Sequence, residues 1–242
     1  PVVPSLFRGF SAPVTYQSGL AQADLAHLMV FDTDAFNRWD AAQQLGIAVI
    51  RALAADWRAG RPLELPEVYR RAYIAVLQDR DLDRAVLGEI LRIPDEPALS
   101  DGLPQIDLDA HVAARRFVCR NLAAACREAL LSDYQDAVPH GPYVLDAHEI
   151  GRRRFRNTCL EMLVQLEQAE ELELALRQVT SADNMTDCFE ALAVLCQVAC
   201  PQREEALRWF YERWRAYPRV IDKWFLVQAL SRTADAVDRF EQ

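Results

Sequence analysis

DLDAHVAARRFVCRNLAAACREALLSDYQDA, residues 107–137, is the stretch whose reading decides the fold. Leu108, Val112, Cys119, Leu122, Cys126, Leu130 and Tyr134 step along it by three, four or seven, so they fall on one stripe of a long helix. Pro139-His-Gly-Pro142 closes that helix. Asp146-Ala-His-Glu149 then opens another, with Asp at the N-cap and Glu at the third helical position, a variant of the capping box. This second helix is expected to run to about Gln168 and to bury Phe155, Cys159, Met162 and Leu166. Downstream, helical segments are expected over about 170–179, 184–199, 202–216, 220–230 and 233–240, divided by Ser181-Ala-Asp183, Pro201 and Pro218.

Upstream the same period holds. Leu25, Leu28 and Met29 mark a short helix, and residues 34–59 a long one that Gly60-Arg-Pro62 ends. In the long one Phe36, Trp39, Ile47, Ile50 and Leu53 form the expected core face, with Arg38, Asp40, Gln44 and Arg51 largely elsewhere on the wheel. Pro66 suits a helix start, Val68, Ile74 and Leu77 follow, and a further helix is expected over 82–91. The proline-marked stretch from Ile93 to Pro104 reads as a loop inside one domain. Residues 1–18 carry three prolines and no helical period, so they read as an extended lead-in or linker. A start at Pro1 without Met fits either processing or a piece of a longer chain. Together these readings give an all-α fold, an irregular α-α superhelix or solenoid of helical hairpins behind a short extended N-terminal lead-in. No fixed-period motif assigns it to a named regular repeat.

Bulk properties agree. The 242 residues are 51% hydrophobic and hold only 8 glycines, enough to build a real helical core. With 27 basic against 36 acidic groups, a net −9, nucleic acid is a poor partner. No apolar run is long enough to span a membrane and no signal sequence opens the chain, so a cytoplasmic location is expected. The 6 cysteines, at 119, 126, 159, 188, 196 and 200, form no C-x-x-C pair and read as reduced core thiols, with Cys196 and Cys200, and Cys119 and Cys126, each sharing a helical stripe.

The chain offers no recognisable active site. His148-Glu149 lies on a helix, but a zincin needs a second His four residues on, and position 152 is Arg. His27, His111 and His140 have no ligand partner at helical spacing either. Arg152, Arg153, Arg154 and Arg156 are expected to form a solvated face paired with acids, in preference to an anion site. Only Cys188 approaches a helix N-terminus that could activate a thiol. Asn184-Met-Thr186 is formally a glycosylation sequon, but Asp183 or Asn184 reads better as a helix cap. No catalytic residue and no metal ligand are therefore assigned.

Five separated passages resemble the bacterial aminopeptidase N family of gluzincin metallopeptidases. They are Pro4-Ser-Leu-Phe-Arg-Gly-Phe-Ser-Ala-Pro-Val14, Phe36-Asn-Arg-Trp-Asp-Ala-Ala-Gln43, the set Arg153, Arg156, Asn157, Cys159 and Leu160, Asp183-Asn-Met-Thr-Asp187, and Asp222-Lys-Trp-Phe225. The resemblance implies that residues 1–18 leave a preceding β-sandwich domain and that 19–242 are part of a C-terminal helical domain. It implies a zinc aminopeptidase parent that cleaves N-terminal residues from peptides, with H-E-x-x-H and G-A-M-E-N motifs in another domain. Zinc would belong to that parent, and this segment would cap the active-site chamber and limit access. Its partners would be the parent's own catalytic domain and peptide substrates. The family arginines that reach substrate lie beyond the matched region, so no substrate-contact residue carries over. A superhelix cut short is expected to show an apolar end. The rival reading is a free-standing helical superhelix that binds peptides or a protein partner.

Overall fold

Leu45, Val49 and Ile50, wholly buried in the middle of one long helix, mark the centre of the first half of the molecule. The computed structural model describes residues 2–11, 19–139, 141 and 143–236. The chain divides into two compact units, Pro1–Ala129 and Leu130–Gln242. Among the described residues the regular structure is helical, with no strand.

In the first unit α1 (Gln22–Phe31), α3 (Glu67–Leu77), α4 (Arg84–Ile90) and α5 (Glu96–Ser100) pack on α2 (Ala35–Arg58). Asp34 caps α2 by accepting the Asn37 N–H at 3.0 Å. The face α2 buries is turned from the expected one. Ala41, Ala42, Leu45, Gly46 and Val49 lie inside beside Ile50 and Leu53, while Phe36, Trp39 and Ile47 are only half-buried. Small residues won because they let neighbouring helices approach closely, which bulky side chains would prevent. Arg38 is buried too, its guanidinium held by the Met29 carbonyl at 3.1 Å and by Asp79 at 2.9 Å.

Tyr69 and Tyr73, one turn apart on α3, supply the core, while Val68 and Ile74 are half-buried. The Tyr73 hydroxyl donates to the Leu91 carbonyl at 3.0 Å, the polar partner a buried tyrosine needs. The stretch 93–104, read as a loop, contains α5. Asp95 caps it through the Ala98 N–H at 3.0 Å and Pro97 sits in its first turn, where proline's missing donor costs nothing.

Helix α6 (Leu108–Asp136) runs through the boundary between the units. Cys119, Leu122, Cys126, Leu130 and Tyr134 of its expected stripe are buried, but Leu108 is exposed and Val112 half-buried, because Ala110, Ala114 and Val118 make the contacts at that end.

The second unit stacks α7 (Ala147–Val164), α8 (Ala169–Ser181), α9 (Met185–Leu195), α10 (Pro201–Trp214) and α11 (Pro218–Ala229), each against its successor. Helix α7 ends four residues before the expected Gln168, and Glu167 takes a left-handed φ of 54° where the chain turns into α8. Cys196 caps the C-terminus of α9 and Cys200 the N-terminus of α10, so they do not share a helical stripe as expected from their spacing.

The segment 231–235 is clamped in place. The Arg203 guanidinium grips Asp235 at 2.6 and 3.2 Å, and the Ser231 hydroxyl donates to the Cys196 carbonyl at 2.6 Å. Residues 237–240 of the helix expected over 233–240 lie outside the described residues, as do residues 12–18 of the expected lead-in. Residues 2–11 show no strand, only a 3-10 turn at Arg8–Phe10. Phe225, Leu226 and Leu230 leave α11 with an exposed apolar stripe.

Candidate functional site

The arginine run of α7 is not a solvated face. Burial is possible because each guanidinium inside has acceptors waiting for it. Arg152 takes both Glu149 oxygens, with Nη2 2.7 Å from Oε2, and also donates to the Ala137 carbonyl. Arg153 donates to the Val144 carbonyl at 3.2 Å and lies 4.8 Å from the Tyr143 ring centre. Only Arg154 of the run is exposed.

The hydrogen bond from Arg152 draws the Glu149 carboxyl below its usual pKa. Burial pushes it the other way, and the charges of Arg152 and Arg153 add to the fall. The same Glu149 lies at the third helical position, where Asp146 accepts its N–H at 2.7 Å. The cap expected from the sequence therefore also anchors the arginines.

One turn further on, Arg156 enters a closed polar network. Its Nη2 donates to the Tyr134 hydroxyl at 3.0 Å, and its guanidinium lies 4.6 Å from the centre of that ring. Its Nη1 is 3.4 Å from Asp187 Oδ2. Asp187 also accepts from the side-chain amides of Asn157, at 3.0 Å, and Asn184, at 3.1 Å. Gln178 of α8 closes the ring. It accepts from Tyr134 at 2.8 Å and donates to Asn157 Oδ1 at 2.7 Å and to the Asp187 carbonyl at 2.9 Å. Burial raises the Tyr134 pKa, more than the Arg156 charge lowers it, so the hydroxyl stays a neutral donor and acceptor.

Thus the structure joins two passages singled out in sequence, Arg156-Asn157 and Asn184 to Asp187, and adds Tyr134 and Gln178. No spacing rule pointed to Gln178. This network holds helices together, most of its donors and acceptors engaging one another while the Arg156 Nε is buried without a hydrogen-bond partner.

The other sequence candidates stay apart. His148 is 82% exposed, 3.6 Å from the Glu149 carboxylate that Arg152 occupies. His27 stacks on Phe31, His111 is buried in α6, and His140 lies outside the described residues. Among the described residues no three His, Cys, Asp or Glu side chains gather as a metal site would require. Burial drives the Cys188 thiol up to about 11, with the Asp187 charge adding to the rise, and its Sγ donates to the Val179 carbonyl at 3.3 Å. Desolvation likewise takes Cys126 to about 11 and raises Cys200. Neither of the first two is a thiolate at neutral pH. Asn184 caps α9 through the Asp187 N–H at 2.9 Å, the role expected for it.

A second assembly joins the first two resemblance passages. Arg8 donates to Asp32 at 2.7 Å and to Thr33 at 2.6 Å, and the Gly9 N–H to Asp34 at 2.8 Å. The Asn37 amide reaches back to Ser5 Oγ and the Leu6 carbonyl, both at 2.8 Å. The Phe10 ring meets Phe36 edge-on with centres 4.9 Å apart.

A family described as a domain of unknown function, DUF3458_C, with ARM repeats matches residues 22–242. This chain belongs to the DUF3458_C family. The match supplies the repeat class that no fixed-period motif in the sequence assigned. ARM repeats are helical units that conserve packing more than spelling, so irregular loop lengths hide their period. The DUF3458_C chain is 33% identical over 236 residues to aminopeptidase N of Escherichia coli (strain K12), covering 98% of this chain and 27% of that protein. It is 35% identical over 240 residues to aminopeptidase N of Caulobacter vibrioides, covering 99% of this chain and 27% of the other. The chain thus spans about a quarter of the length of these relatives. A solved structure, Legionella pneumophila aminopeptidase A in complex with aspartic acid, matches 99% of this chain and 29% of its own at a TM-score of 0.84 and 29% identity. The all-α, ARM-repeat architecture is thereby that of a region within known aminopeptidases.

Proposed function

We propose that this chain is a non-catalytic, C-terminal helical part of a cytoplasmic zinc aminopeptidase of the aminopeptidase N type. In this reading its helices cap the chamber in which N-terminal residues are removed from peptides. The parent's catalytic domain is its partner, residues 1–18 lead in from a β-sandwich domain, and residues 19–242 belong to the cap. One observation carries the proposal: two aminopeptidases N match nearly all of this chain with about a quarter of their own length.

The His148-Glu149 turn does not fit zinc, and among the described residues no other cluster of metal-ligating side chains gathers. Arg152 stands one turn after His148, where a second ligand would be needed, and its guanidinium already holds the Glu149 carboxylate. A cation there would meet Arg152 and Arg153 at close range. In this reading the hydrolytic chemistry belongs to another part of the parent.

The test is a comparison of the whole protein carrying this sequence with residues 1–242 alone. The whole protein should release N-terminal residues from short peptides, hold zinc and leave folded proteins uncut. Residues 1–242 should do neither of the first two. Stoichiometric zinc with aminoacyl hydrolysis in residues 1–242 would contradict the non-catalytic assignment, and a whole protein without aminopeptidase turnover would leave the helical-scaffold reading.

A further inference from the structure

We propose that residues 5–10 form a clasp that fixes the direction in which the chain ahead of Ser5 leaves the first unit, through Arg8 and Gly9 reading the Asp32-Thr33-Asp34 elbow between α1 and α2. A flexible linker has no reason to hold bulky residues in the left-handed region, yet Phe7 and Phe10 both have φ of 52°, on either side of Gly9 at 65°. Surrounding contacts must impose that conformation, and the structure shows which.

Arg8 bonds to Ser5 within the turn at 3.1 Å and to Asp32 and Thr33 in the elbow. Asp34 serves two purposes. Its Oδ1 caps α2 through the Asn37 N–H, while its Oδ2 takes the Gly9 N–H. The side chain of that same Asn37 then holds Ser5 and Leu6. The start of α2 and the clasp therefore share Asp34 and Asn37.

Burial adds a reason for the clasp to stay closed. The Asp32 side chain is 1% exposed and faces the Arg8 guanidinium, so opening would leave a buried carboxylate without that cation. A Cβ on Gly9 would meet nothing within 4 Å, so the glycine is there for its φ and not for room. The clasp stands on residues 5–37 alone. Its role of holding a helical cap at a set angle to the preceding β-sandwich domain rests on the function proposed above.

Hydrogen exchange and small-angle scattering on the whole protein test it, with Arg8→Ala, Arg8→Lys and Thr33→Val. Amides of residues 5–11 should be protected in the wild type. Arg8→Ala should speed their exchange by about tenfold or more while α2 keeps its protection. Arg8→Lys should fall between, because a lysine cannot span both acceptors as a guanidinium does. Arg8→Ala should also broaden the distribution of interatomic distances in scattering.

Unprotected residues 5–11 in the wild type, or unchanged exchange in Arg8→Ala, would overturn the clasp. Raised exchange with unchanged scattering would overturn its role in setting direction. Should Arg8→Ala also lose α2 protection, Thr33→Val decides, since it removes one exposed acceptor and should raise exchange in the same residues more weakly. Aminopeptidase turnover of the same wild-type sample reports separately on the proposed function.

Discussion

Arg156 and Asp187 lie 31 residues apart in sequence, yet Nη1 approaches Oδ2 to 3.4 Å with both residues buried. Removing one member of such a pair strands the other charge away from water. Asp187→Ala should therefore cost about 3–5 kcal/mol, well beyond an ordinary surface change. It also removes an acceptor from the Asn157 and Asn184 amides. Urea unfolding of Asp187→Ala, Arg156→Ala and the double variant measures this. The double variant should lose less than the sum, since the second substitution removes a charge already stranded. A loss below about 1 kcal/mol in Asp187→Ala would mean the network relaxes freely.

Glu149 should give stability a specific acid dependence. Its folded pKa lies below the unfolded value near 4.5, so its contribution is fully present above that value and is lost as pH falls through the folded pKa. Glu149→Gln should then be less stable than wild type at neutral pH. The gap should shrink as the medium is acidified below about pH 4, where the wild-type carboxyl also becomes neutral. Urea midpoints of the two proteins across that range test it, and a gap independent of pH would show that the charge of Glu149 is not what Arg152 and Arg153 need.

Thiol labelling should separate the cysteines. All six are thiols, and only Cys200 is not fully buried. Its pKa is raised by burial, but its access to reagent is better than that of Cys188 or Cys126, whose thiols lie at about 11. With an aromatic disulfide near pH 8, one thiol should react first and Cys200→Ser should abolish that phase. The remaining thiols should be slower by about a hundredfold or more until urea is added. Labelling of Cys188 in the native protein as fast as in urea would contradict the buried Sγ to Val179 contact.

The helices were legible because a 3.6-residue period and capping side chains leave marks within a few residues of sequence. Asp34, Asp146 and Asn184 all bond the N–H groups that their places imply. The choice of buried face in α2 was not legible, since Ala41, Ala42 and Gly46 look neutral until a neighbouring helix is pressed against them. Helix α5 was hidden by the prolines on either side of its short core, Leu99. The polar network was half legible. Arg156, Asn157 and Asp187 stand in passages that the sequence marks out, but their pairing joins α7 to α9, and charge patterning along one helix cannot show a partner on another. The same limit made the α7 arginines look like a solvated face.

Gly46 opens the packing of α2 to a test by a single substitution. An alanine there should gain about 1 kcal/mol in intrinsic helix preference, because α2 is regular through this position. Its Cβ, however, would lie 2.9 Å from both Cδ and Cγ of Pro94 and 3.2 Å from the Tyr69 hydroxyl oxygen. The proline ring has no rotamer into which to retreat, and its stretch of chain is held by Arg115 Nε on the Pro94 carbonyl at 2.9 Å and by Gln43 on the Arg92 carbonyl at 3.0 Å. Tyr69 is fully buried and cannot swing out to water. Overpacking of this kind costs about 1–3 kcal/mol, so Gly46→Ala should destabilise despite the propensity gain, lowering the urea midpoint without changing the slope. Ala52→Gly, at an exposed position of the same helix, is the control and should lose only the propensity difference. A higher midpoint in Gly46→Ala would mean the 93–95 segment moves away from α2 without cost, and that small residues on this face do not set how closely the chain packs.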